Sequence, residues 1–174
     1  AEYLGCEFIG WFNEEKLLSS ETEYDFTIEY NVTAKFKVKE EMSNFEFNSS
    51  VDTCEILGLK DKNVSEILIQ NYVMSIGDYA FYNCNELTRV SIPESLISIG
   101  YNAFSGCDNL REAICPAFSI SFLPKTQLTI VTISSGRIDY SMFEDCIELE
   151  NVTIGDDVTF IGRSAFYNCY KLKS

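Results

Sequence analysis

The chain has 174 residues, 46% of them hydrophobic, and a formal net charge of −14. That apolar content excludes a disordered chain. The acidity excludes nucleic acid, whose binding rests on neutralising phosphates with Lys and Arg, and it disfavours docking on anionic membranes.

Residues 1–60 read as an N-terminal capping region built of a short helix and β-strands. Asn13 is placed to cap the helix, with Glu14 and Glu15 in the first turn and Leu17 and Leu18 on the buried side. A long alternation follows. Tyr24, Phe26, Ile28, Tyr30, Val32, Ala34, Phe36 and Val38 share one face, with polar residues between them. A hairpin near Asn31 to Thr33 would set the acidic arm against the lysine arm, and one long bent strand is the alternative. Phe45 and Phe47 begin another strand, and Cys54 to Leu59 form the next. Such a segment before a repeat array is expected to cover an open core end, with a separate ligand-binding β domain as the rival.

From residue 61 to 174 one apolar template recurs. Ile76-Gly77-Asp78-Tyr79-Ala80-Phe81 precedes Cys84 and Leu87, and Ile99-Gly100-Tyr101-Asn102-Ala103-Phe104 precedes Cys107 and Leu110. Ile138 to Phe143 precede Cys146 and Leu149, and Ile161 to Phe166 precede Cys169 and Leu172. The offset is 23 residues from Ile76 to Ile99 and again from Ile138 to Ile161. A fixed period of this size specifies a stacked solenoid. The Val-x-Ile piece of each copy is a strand, and Ala-Phe-x-x-Cys-x-x-Leu has the spacing of one short helix or 3₁₀ turn per coil. Glycine at 77, 100 and 162 is expected to supply a φ that other residues resist. The predicted core comprises Ile67, Ile69, Val90, Ile92, Val131, Ile133, Val152 and Ile154 from the first strand. Val73, Ile76, Leu96, Ile99, Val158 and Ile161 come from the second, and Phe81, Phe104, Phe143 and Phe166 from the turn. Cys84, Cys107, Cys146 and Cys169 share one slot and read as a ladder of buried thiols; Cys6, Cys54 and Cys115 have no assigned role. The coil from Leu110 to Leu128 is irregular, with 18 residues and no Ile-Gly-x-x-Ala-Phe segment. The register stops after Leu172, which reads as an array cut in mid-repeat.

Repeated in this way, Ile-Gly-x-x-Ala-Phe-x-x-Cys-x-x-Leu resembles the BspA-like leucine-rich repeats from about Val64 to Ser174. The resemblance implies an α/β leucine-rich-repeat solenoid, right-handed, with a parallel sheet on its concave side and short helices or 3₁₀ turns on its convex side. It also implies a cell-surface or secreted protein that binds other proteins, such as host extracellular or surface proteins, in adhesion. A purely structural spacer or stalk is the alternative.

The chemistry is sparse. There is no histidine, so no Ser-His-Asp or Cys-His arrangement exists, and no phosphate loop or dinucleotide fingerprint is found. No enzyme, cofactor or metal is expected; Gly155-Asp156-Asp157 reads as a solvated turn, short of the ligands a calcium loop needs. No apolar run of about 18 residues offers a membrane span. The candidate binding surface is the outward side of the strands. Glu66, Leu68, Arg89, Ser91, Glu112, Ile114, Ile130, Thr132, Asn151 and Thr153 are expected there in two columns. Asn31, Asn48, Asn63 and Asn151 each begin an Asn-x-Ser/Thr sequon, which matters only in a secretory pathway.

Overall fold

The computed structural model describes residues 6–13, 16–19, 32–38, 44–49 and 54–173, with side chains at 44–46 and 54–173. Strand β1 (Cys6–Asn13) pairs antiparallel with β2 (Lys16–Ser19) on one side and β3 (Val32–Val38) on the other. The helix expected after Asn13 is not formed: Leu17 and Leu18, expected on its buried side, lie in β2, and Asn13 is paired with Lys16. The hairpin expected near Asn31 to Thr33 also fails. Val32 and Thr33 lie within β3, opposite Asn13 and Phe12, because β3 takes its backbone bonds from β1. The arm from Tyr24 to Tyr30 lies outside the described residues.

Strands β4 (Phe45–Ser49) and β5 (Cys54–Leu59) form an antiparallel pair where the sequence placed them. β5 also pairs in parallel with β7 (Ser75–Ile76), which pairs with β9 (Ser98–Ile99). Phe45, Cys54, Ile56 and Leu59 are buried in the same core as the coils.

The main sheet is built from one strand per coil. β6 (Glu66–Leu68), β8 (Arg89–Ser91), β10 (Glu112–Cys115), β11 (Ile130–Ile138) and β12 (Asn151–Ile161) are all parallel, in the order β12-β11-β10-β8-β6. The result is a β-solenoid. Its coils are joined by a repeated bond: the N–H groups of Arg89, Glu112, Ile130 and Asn151 donate to the carbonyls of Ser65, Thr88, Arg111 and Thr129 of the preceding coil. Pro93 and Pro116 stand where the chain leaves β8 and β10, and a residue without an N–H stops a ladder. No proline follows Ile133 or Ile154, so β11 and β12 run on through the corner with irregular register. Gly155-Asp156-Asp157 accordingly lies inside β12 and is not a loop between strands.

The Phe-x-x-Cys segment forms successive turns with 3₁₀-type bonds, such as Cys84 to Phe81 and Leu87 to Cys84, and not a continuous helix. Two positions in each regular coil have positive φ. Tyr79, Asn102, Ser141 and Ser164 hold one, and Asn83, Gly106, Asp145 and Asn168 hold the other. Left-handed residues at this frequency break a helix into successive turns. Freed from intrahelical bonding, alternate N–H groups reach the next coil: Tyr79, Phe81 and Asn83 donate to Tyr101, Ala103 and Ser105 at 2.8–3.0 Å. The only 3₁₀ helices among the described residues, 117–122 and 125–127, are in the irregular coil. The glycine expectation also needs correction. Gly77, Gly100 and Gly162 do not have positive φ. They permit close coil-to-coil approach: a Cβ at Gly162 would lie 2.6 Å from the Tyr140 nitrogen, and one at Gly100 would run into the backbone of Gly77 and Asp78.

The core is as expected through four coils. Phe81, Phe104 and Phe143 are fully buried, as are Leu87, Leu110, Leu128 and Leu149. Ring contacts link Phe45, Phe81 and Phe104, with centroids 6.4 and 4.9 Å apart, and separately Phe143 and Phe166 at 5.1 Å. The irregular coil supplies no phenylalanine at this slot and buries Ile120 instead. In the last coil the expected burial is incomplete: Ile154 is 38% and Ile161 52% exposed, and Val152, Val158 and Phe166 are half-buried. These residues have core on one side only.

Candidate functional site

Every residue of the predicted surface lies on the parallel sheet. The register aligns Glu66, Arg89, Glu112, Ile130 and Asn151 as one row of neighbours. It aligns Leu68, Ser91, Ile114, Thr132 and Thr153 as the second. Between the rows Ile67, Val90, Ala113 and Val131 point inward and are buried. Strand alternation thus sorts apolar side chains into the core and leaves the two rows partly or fully solvent-facing.

Within this face Glu66, Leu68, Arg89, Ser91 and Ile114 line a shallow hollow of about 230 Å³. Leu68 is 62% exposed and Ile130 41%. Arg89 turns toward Glu112, with Nη2 3.5 Å from Oε1, both side chains being part-exposed. Such a pair contributes at most about 1 kcal/mol to stability, so its role is to fix the charge pattern. Glu66 makes no ion pair among the described residues. The upper end of the sheet therefore presents an uncompensated carboxylate beside an exposed leucine.

Of the sequons, Asn63 precedes β6 and Asn151 opens β12, at opposite edges of the sheet. Asn63 is exposed, its side-chain nitrogen 3.0 Å from Asp61 Oδ1, and Asn151 is exposed in the first row. The side chains of Asn31 and Asn48 lie outside the described residues. Cys84, Cys107, Cys115 and Cys146 are buried free thiols, and Cys169 is half-buried. The Cys107 and Cys169 sulfurs donate to the Phe81 and Phe143 carbonyls at 3.2 and 3.1 Å. Burial, with a smaller contribution from Glu94, raises the Cys115 thiol to about 12; burial, then Cys169, raises that of Cys146 to about 11. Thiols held protonated in this way are packing groups, not nucleophiles. No cluster of metal-ligating side chains occurs among the described residues, and no helix among them is long and apolar enough to cross a membrane. The left-handed slot before each cysteine was missed by sequence reasoning, although Asn83, Gly106, Asp145 and Asn168 are the residue types that tolerate it.

No curated protein matches the chain. Among solved structures it is similar to the leucine rich repeat protein TpLRR of T. pallidum, with 26% identity and a TM-score of 0.45 over 74% of this chain and 66% of that one. It is similar to a leucine-rich repeat protein from Bacteroides ovatus, with 24% identity and a TM-score of 0.42 over 63% of this chain and 36% of that one. A leucine rich cell surface protein from Faecalibacterium prausnitzii matches with 23% identity and a TM-score of 0.42 over 76% and 52%. The chain spans less than two thirds of the length of each of these proteins. The sequence model of the BspA type leucine rich repeat region matches in six copies, over residues 26–127 and 57–173. The chain belongs to the BspA type leucine rich repeat family.

Proposed function

We propose that the chain is a non-enzymatic protein-binding module of a bacterial cell-surface or secreted protein, acting in adhesion through the outward face of its parallel sheet. The observation that carries this reading is the pair of aligned rows, in which Leu68, Ile114 and Ile130 stand among Glu66, Arg89 and Glu112. Apolar side chains framed by charge are the composition of a binding patch with a polar rim. The unpaired Glu66 beside Leu68 favours a partner that offers an apolar side chain flanked by a basic one. Residues 1–60 serve as a cap on the array, β4 and β5 extending the core past the first coil.

The test is capture of surface and matrix proteins on the immobilised chain, followed by binding titrations of any captured protein. Replacing Arg89, Glu112 and Ile114 together with Ala is expected to weaken binding by about tenfold or more while the fold persists, since central interface residues carry most of the energy. Undiminished binding by the folded triple variant overturns the face assignment. Capture of nothing supports a stalk that presents other domains.

A further inference from the structure

The irregular coil leaves a ladder of donors without acceptors among the described residues. In the first regular coil the N–H groups of Tyr79, Phe81 and Asn83 bond to alternate carbonyls of the next coil, and Phe143 and Asp145 do the same toward Ala165 and Tyr167. The equivalent donors of the intervening coil are Asn102, Phe104 and Gly106. The coil that follows them lacks the matching turn, and no described residue accepts from these three N–H groups. Phe104 is buried, and a buried backbone donor without a partner is uncommon, while Asn102 and Gly106 are partly or fully open to solvent.

A groove of about 410 Å³ runs along this open edge, a volume in the usual range for ligand sites. Tyr101, Asn102 and Ser105 line it on one side, and Ser121, Phe122 and Pro124 on the other. Tyr101 is 66% exposed and Phe122 41%. None of the lining residues is charged. A ligand carrying charge would lose hydration there with no counter-ion in return. The donors fall at every second residue, as at the edge of a sheet, and in neighbouring coils such donors are met by carbonyls of a peptide chain.

We propose that this groove is a second binding site, which takes an uncharged extended peptide segment of a partner protein. Its alternate carbonyls accept from the N–H groups of Asn102, Phe104 and Gly106, and its apolar side chains lie against Tyr101 and Phe122. Main-chain bonding of this kind gives affinity, and the side-chain contacts give selectivity. The site lies on the turns and does not depend on the sheet-face reading.

The chain itself supplies a probe. Residues 99–107 carry no charge and contain the Tyr101, Ala103 and Ser105 carbonyls that accept this bonding pattern from the first coil. A synthetic copy with serine for its cysteine, its scrambled form and a set of other uncharged nonapeptides are titrated into the ¹⁵N-labelled full chain. The expected result is that at least one peptide shifts the Asn102, Phe104 and Gly106 amide resonances and slows their exchange. Tyr101→Ala and Phe122→Ala, both at exposed positions, are each expected to weaken that peptide roughly fivefold. No shift at these amides with any peptide overturns the proposal. So does equal binding by both variants, or a response at these amides to neutral oligosaccharides in place of peptides.

Discussion

Each regular coil places the same residue types under the same demands, and single substitutions test those demands. Phe81 has no exposed surface and touches the rings of Phe45 and Phe104. Phe81→Ala is expected to cost about 3–5 kcal/mol in urea unfolding, and Phe166→Ala, at a half-buried position, distinctly less. Asn83 has φ of 59°. Asn83→Gly is expected to be near neutral and Asn83→Ala to cost about 1 kcal/mol, since alanine pays more for the left-handed region. The thiols predict a pH dependence. The Cys115 and Cys146 values are raised from 9.0 to about 12 and about 11, so the folded state holds protons that the unfolded state releases. Their contribution is complete below pH 9, falls as pH rises through the folded values, and is gone above them. Unfolding titrations at pH 8 and pH 11 should show a smaller fall in stability for the Cys115→Ala/Cys146→Ala variant than for the parent. Equal falls contradict the assignment.

At the scale of elements, the parallel strands were legible and the corners were not. Val-x-Ile alternation and a fixed period place β6, β8 and β10 and the two surface rows, because strand side chains have only two directions. The same reasoning failed at Asn13. A polar residue before acidic and apolar ones fits a helix start, yet pairing of β1 with β2 depends on contacts that local sequence does not report. Of the two forms expected for the turns, the 3₁₀-type turn holds, with Cys84, Cys107 and Cys146 donating to Phe81, Phe104 and Phe143 three residues back, and the continuous helix does not; the deciding signal was the Asn, Gly, Asp and Asn preceding the cysteines. The candidate surface was legible as a set of aligned residues, but the hollow at Glu66 and the Arg89–Glu112 pairing follow from rotamers that spacing does not specify. The corner in β12 yields a further prediction. A Cβ at Gly155 would lie 2.5 Å from the Ser134 carbonyl oxygen, whereas one at Gly77 would meet the Ile56 oxygen at 3.2 Å. Gly155→Ala is expected to lower stability by roughly 1–3 kcal/mol, and Gly77→Ala by less, in the same unfolding assay.

At the scale of the whole molecule, a solenoid gains stability from each coil and from each interface between neighbours. The inner coils have both neighbours. Ile133 and Ile138 are fully buried, whereas their counterparts Ile154 and Ile161 are 38% and 52% exposed. Hydrogen exchange is therefore expected to be slowest in β8, β10 and β11 and to quicken through β12 and the last turn. Uniform protection would argue against nearest-neighbour stacking. Stacking also places equivalent residues of successive strands side by side, and the proposed binding face exists only if it does. Paired spin labels measure this directly. With Cys6 and Cys169 changed to Ser, labels at Glu66→Cys and Asn151→Cys span four strand-to-strand steps of the first row. The expected result is a narrow distance distribution centred near 19 Å, from the usual spacing between paired strands. A broad distribution, or one centred at twice that distance, would contradict the stacked array and the face built on it.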